Sequence, residues 1–227
     1  MSQARHIFRK ESQSGQSRHL LRLTEPYPLF TCLHPLVAKA LPLTLLFLSL
    51  LRGAVASAAT LEGQQFEDVV RLASRELHLN GLGVRKVFFI KAYVAGLYLH
   101  DKAATPHEAV TMSGPKRLQL RMLRSAGSND FNEALTAGIR NNANAAEKIE
   151  LAERLQQLEL TIRTIGGTEK GDLITLDYIP DLGTRLAING ATQGKVITGA
   201  DFYEAVLAIF VGNKPVDSQL KKGLLGQ

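Results

Sequence analysis

Hydrophobic and polar positions along this chain repeat with two periods. Alternation by two marks strands. Leu118, Leu120 and Met122 alternate with Arg117, Gln119 and Arg121, predicting a half-buried strand over 116–123. Ile174, Leu176 and Tyr178 share one face of a strand over 172–180, and 184–188 with 195–198 predict a hairpin joined by 189–194. Residues 60–66 predict an opening strand; 65–77 fits either a polar-faced helix or a second strand. Spacing by three and four marks helices. Phe131, Leu135 and Ile139 define one capped by Ser128 or Asn129. Leu151, Leu155, Leu158 and Ile162 define another over 146–162, with Glu150 four before Arg154 on its solvent side and Gly166-Gly167 at its end. Thr105, Pro106 and Glu108 form a capping box for a short helix to about residue 112. Helices over 199–211 and 217–225 close the chain.

One stretch organises the rest. Residues 79–99 read LNGLGVRKVFFIKAYVAGLYL, and from 86 to 99 only Lys86 and Lys91 are charged. Aromatic and branched side chains suit a pleated, buried surface, so the run predicts one long, bent strand or two short ones. Asn80-Gly81 and Gly83 read as turn residues at its start. Arg85 stands where the apolar run begins, and a charge beside a core needs a partner or water. Asp177 is a candidate partner. Strands, two middle helices, strands and terminal helices predict one α+β domain, helices packed on an antiparallel sheet.

Charge removes one class of function. The pI near 9.5 suggests a nucleic-acid binder. Of 27 Lys/Arg and 21 Asp/Glu, however, seven and two lie before Ala59, which leaves 20 and 19 in the remainder. The basicity belongs to the leader, so no nucleic-acid partner is expected. Residues 41–51 (LPLTLLFLSLL) are uncharged, preceded by Lys39 and followed by Ala56-Ser57-Ala58. A basic flank, a short apolar core and an A-x-A site predict a secretory signal peptide cleaved after Ala58, or after Ala59. An uncleaved amphipathic anchor is the alternative. Residues 1–58 are thus read as an extension plus signal peptide and 59–227 as a single periplasmic or secreted domain, with no stable membrane span after cleavage. The only cysteine, Cys32, precedes the apolar run, so the mature chain carries no thiol.

Gly81-Leu82-Gly83-Val84-Arg85 followed by Tyr93-Val94-Ala95-Gly96-Leu97-Tyr98-Leu99 resembles the chalcone isomerase-like family. So do Asp177-Tyr178-Ile179-Pro180, Gly183-Thr184, Asn189-Gly190, Gly199-Ala200-Asp201-Phe202, Phe210-Val211-Gly212 and Leu224-Leu225-Gly226, in order over nearly all of 60–227. The resemblance is to a secreted bacterial branch. It implies an open-faced antiparallel β-sandwich with a helical layer and a cleft between them. The family's plant enzymes close a chalcone to a flavanone, using an Arg to favour the phenolate and Thr, Tyr, Asn and Ser/Thr groups to hold substrate and water. Carried over, the Arg falls on Arg85, the Thr on Tyr93, the Tyr on Phe131, the Asn on Gly138 and the late Thr on Ile209. Phe, Gly and Ile cannot orient a water or an oxyanion. The family's fatty-acid-binding branch holds a carboxylate with an Arg and a Tyr over an apolar tunnel, parts that Arg85 and Tyr93 would play.

The resemblance therefore implies a small amphipathic ligand of the fatty-acid type, bound by Arg85, Tyr93, Phe131 and Ile209. The alternative is an isomerase (intramolecular lyase) acting through Arg85 and Tyr93, and a third reading is an envelope scaffold with a filled core. Lys91 reads as a solvated rim charge, Tyr98 and Tyr178 as core, and Asn189 as serving the turn before Gly190. Phe131, Phe202, Ile209 and Phe210 either line a cavity or fill a core. The six histidines show no metal-ligand spacing, and no metal or cofactor is expected. One distance constrains the site. Arg85 and Tyr93 are eight residues apart, roughly 26 Å along a straight strand. They share a ligand only if the chain turns back between 86 and 91, where no Gly, Pro or Asn stands.

Overall fold

The alternating segments pair into a seven-stranded antiparallel sheet. The computed structural model describes residues 57–227. The leader, with its 41–51 run and Cys32, lies outside the described residues. In chain order the strands are β1 (Ala58–Leu61), β2 (Gln64–Glu67), β3 (Val69–Leu72), β4 (Arg75–Val87), β5 (Ile90–Leu99), β6 (Lys116–Met122), β7 (Ala126–Gly127), β8 (Gly167–Thr168), β9 (Leu173–Ile179), β10 (Gly183–Ile188) and β11 (Ala191–Ile197). The helices are α1 (Pro106–Thr111), α2 (Ser128–Asn142), α3 (Ala145–Ile165), α4 (Ala200–Val211) and α5 (Ser218–Leu224). The large sheet runs β11-β10-β9-β6-β5-β4-β3, and β1-β2 and β7-β8 form separate ribbons.

Period two gives the sheet two buried faces. Ala95, Leu97, Leu118, Leu120, Ile174, Leu176 and Leu186 turn to the helices and join Phe202, Val206, Ile209 and Phe210 in the larger core. Val94 and Tyr98 turn the other way, into a smaller core with Phe66, Val70, Leu72 and Leu77. Phe66 of β2 lies on Gly96 of β5, where a Cβ would come within 2.8 Å of the Phe66 ring. The β1-β2 ribbon thereby covers the second face, as an open-faced sandwich requires.

Several elements differ from the sequence reading. The opening strand is a hairpin, β1 turning to β2 at Glu62-Gly63, and 65–77 holds strands where a helix was also open. Asn189-Gly190 is a two-residue turn, so β11 begins at Ala191. Gly127 caps α2 and Asn144 caps α3, the latter in a capping box with Glu147. The guanidinium of Arg154 pairs with Asp201 and donates to the backbone carbonyls of Thr198 and Glu150, not to the Glu150 carboxylate. The capping box at Thr105 is present as predicted.

The largest correction concerns Asn80, Gly81 and Gly83, which stand inside β4. Buried Asn80 donates from Nδ2 to the carbonyls of Ala103 (2.9 Å) and Leu224 (2.7 Å) and accepts from the Ala103 amide (2.8 Å). At Gly81 a Cβ would fall 2.1 Å from the Gly223 carbonyl oxygen, and at Gly83 2.6 Å from that of Leu220. Glycine is used here for close approach: α5 lies backbone to backbone against β4.

Candidate functional site

The residue 79–99 run is two strands. β4 and β5 form a hairpin whose two-residue turn is Phe88-Phe89, and Arg85 is the register partner of Tyr93. Antiparallel partners share a face, so the two residues stand side by side on the helix-facing side, and the roughly 26 Å of a straight strand does not separate them. The register shifts by one between Arg85 and Lys86, re-aiming the last rungs of the hairpin.

Arg85 does not pair with Asp177. Its Nη1 lies 3.5 Å from Oδ2 of Asp217 and donates to the Lys86 carbonyl at 2.8 Å. Asp217 is the N-cap of α5. Its Oδ1 accepts from the amides of Gln219 (2.8 Å) and Leu220 (3.1 Å), its Oδ2 from that of Lys86 (3.1 Å). Burial alone would raise the Asp217 carboxyl, but these amides and Arg85 outweigh it and hold the group below its ordinary range. Asp177 serves the opposite face of the sheet, where it joins Arg117 (2.6 Å) on β6 and Arg185 (2.7 Å) on β10.

A cavity of about 110 Å³ opens between the sheet and helices α2, α3 and α4. Tyr93, Phe131 and Ile209 line it, and Arg85 is not among its wall residues. The wall also includes Leu120, Leu158, Ile162 and Val216, and its side-chain hydroxyls come from Tyr93, Ser128 and Thr168. Thr168 Oγ1 is buried without a hydrogen-bond partner among the described residues. Tyr93 and Val216 are the wall residues next to the Arg85–Asp217 pair, which sets the pair beside the cavity wall. Burial pushes the Tyr93 phenol far above its ordinary value; Arg85 opposes this and Asp217 adds to it. Tyr93 is therefore a neutral hydroxyl that can donate.

Gly138 has a packing role. A Cβ there would lie 2.6 Å from Cγ2 of Ile209, so α2 meets α4 without room for a side chain at this point. Tyr178 and Tyr203 stack at 5.5 Å within the larger core, where Tyr203 donates to the Leu176 carbonyl at 3.2 Å. Tyr98 is buried in the smaller core. Lys91 is a rim charge, paired with Glu62 at 2.6 Å. Among the described residues no group of three or more His, Cys, Asp or Glu is placed to hold a metal ion.

Sequence reasoning missed Asp217, Val216, Ser128 and Thr168. Val216-Asp217-Ser218 did carry a signal: an acid just before a short amphipathic segment is an N-cap pattern.

An α+β sheet with one helical layer, an apolar cavity beneath it and an Arg–Tyr pair beside that cavity describe the site and the fold that holds it. The chalcone isomerase-like family model matches residues 58–226, and the chain belongs to that family. A solved structure of a fatty-acid binding protein from Arabidopsis thaliana shares the fold, with a TM-score of 0.59 and 16% identity. The match covers 74% of this chain and 96% of that one. None of the curated proteins matches by sequence.

Proposed function

We propose that this protein binds an amphipathic acid of the fatty-acid class, its acyl chain in the cavity and its carboxylate beside Arg85 and Tyr93. The observation that carries this is the register pairing of Arg85 with Tyr93, itself a wall residue of a largely apolar cavity. A guanidinium and a neutral phenol together offer charge-assisted hydrogen bonds to a carboxylate. The shared fold with a fatty-acid binding protein from Arabidopsis supports the ligand class. At about 110 Å³ the cavity is smaller than the roughly 300–1,000 Å³ of drug-sized sites. A long acyl chain therefore requires the cavity to widen. An isomerase reading has less support, because Phe131, Gly138 and Ile209 bring no polar group to the site.

Export completes the proposal. β1 begins at Ala58, so cleavage after Ala58 leaves the folded domain nearly whole in the periplasm or outside the cell.

Native mass spectrometry of the chain purified from its own host, with Arg85→Ala in parallel, tests both parts. The expected result is a product starting at Ala59 or Thr60 with a fatty-acid adduct that Arg85→Ala loses. An intact leader on the mature product contradicts export. No adduct in either protein, and no uptake of added fatty acid, contradicts the ligand reading.

A further inference from the structure

The β4-β5 turn breaks several local rules at once. Its residues, Phe88 and Phe89, are 91% and 100% exposed, and the flanking pair Val87 and Ile90 is 43% and 49% exposed. Phe88 has φ +54°, at the first position of a two-residue hairpin turn where glycine is the usual occupant. A phenylalanine there carries backbone strain. Lys86 and Lys91 are register partners just below, and like charges directly opposite each other destabilise a hairpin. Lys91 has Glu62 as a partner at 2.6 Å, while the Lys86 side chain has no hydrogen-bond partner among the described residues. Where propensity, strain and charge all oppose the fold at one place, function is the expected reason.

We infer that this hairpin tip is a membrane-docking element that inserts Phe88 and Phe89 into the interface of an anionic bilayer. The inference goes beyond the proposed ligand site and does not depend on it. The turn backbone lies about two residue steps, roughly 7 Å, beyond the lysine pair, and interfacial elements bury about 5–10 Å into the headgroup boundary. The aromatic tip then reaches the acyl boundary while Lys86 and Lys91 sit among the phosphates, whose charge relieves their mutual repulsion.

Area favours a bilayer over a protein partner. Two phenylalanines supply about 300–500 Å², short of the roughly 800 Å² per partner in a stable protein interface. A bilayer closes around a narrow protrusion from every side, which a flat protein surface cannot do.

The sequence has no tryptophan, so Phe89→Trp places a single fluorescent reporter at the hairpin tip of the protein purified from its own host. The test uses phosphatidylcholine vesicles with and without about 30% phosphatidylglycerol. The expected result is a blue shift and quenching by brominated acyl chains on the anionic vesicles, weakened by salt. In co-sedimentation, Phe88→Ser with Phe89→Ser lowers binding at least about tenfold while leaving the melting curve in place. Emission that stays solvent-like on every vesicle overturns the inference, as does undiminished sedimentation of the double variant. Concentration-dependent dimers that the serines abolish, without vesicle binding, overturn it too and assign the tip to a second copy of the chain.

Discussion

Asp217 reaches Arg85 across 3.5 Å with one carboxylate oxygen while the other caps the closing helix. The guanidinium beside the cavity wall is thus held from the helix side by a protein carboxylate, and a ligand carboxylate approaching Arg85 meets a like charge. Asp217→Asn keeps a side-chain oxygen for the cap, since Asn is as good an N-cap as Asp, and removes that charge. The variant is expected to bind a medium-chain carboxylate about fivefold tighter, on the order of 1 kcal/mol. Titration calorimetry against the wild type checks this, with the matching alcohol as the control that does not change.

The same carboxyl sets an acid limit on stability. Its folded value lies below the ordinary carboxylate range, so it contributes stability that is fully present above the unfolded value, near 3.9, and is lost as pH falls through the folded value. The gap in melting temperature between the wild type and Asp217→Asn is therefore expected to be constant from neutral pH down to about 5 and to close below about 4. Scanning calorimetry across that range measures it.

On the other face of the sheet Asp177, 1% exposed, bridges Arg117 and Arg185. Removing it leaves two guanidiniums facing each other with no counter-charge. Asp177→Ala is expected to cost about 3 kcal/mol in urea denaturation and to leave carboxylate affinity unchanged, because the triad lies across the sheet from the cavity.

Gly83 positions the site at a distance. A methyl group there meets the Leu220 backbone at 2.6 Å and lifts α5, whose N-cap is Asp217. Gly83→Ala is expected to lose about 1–3 kcal/mol and also to alter ligand affinity through the displaced Asp217. The analogous overpacking at Gly96, against the ring of Phe66, lowers stability alone. Comparing the two by denaturation and titration separates positioning from packing.

Much of the fold is legible in the sequence, because period-two strands such as Leu118/Leu120/Met122 and capped helices such as Thr105–Glu108 carry their own local signals. The family relation is legible too, through motifs spread over 60–226. The β4-β5 turn is not: Phe88-Phe89 contains no turn residue, and only the pairing of β4 with β5 forces it. Nor is the role of Gly81 and Gly83, which serves a helix about 140 residues later in the chain. The site was half legible. Tyr93, Phe131 and Ile209 line the cavity, but Asp177, one candidate partner for Arg85, is not its partner. Alternation puts Asp177 on the opposite face of the sheet from Arg85, and choosing Asp217 required knowing that α5 docks on β4.

Arg85 as the head-group anchor is the central claim, and a chain-length-matched acid and alcohol address it most directly. Titrating dodecanoate and dodecanol into the wild type and Arg85→Ala separates the charge from the cavity. The wild type is expected to prefer the acid by about tenfold, as one charge-assisted hydrogen bond supplies, and Arg85→Ala to lose this preference while binding the alcohol unchanged. An acid preference that survives in Arg85→Ala would contradict that anchoring role.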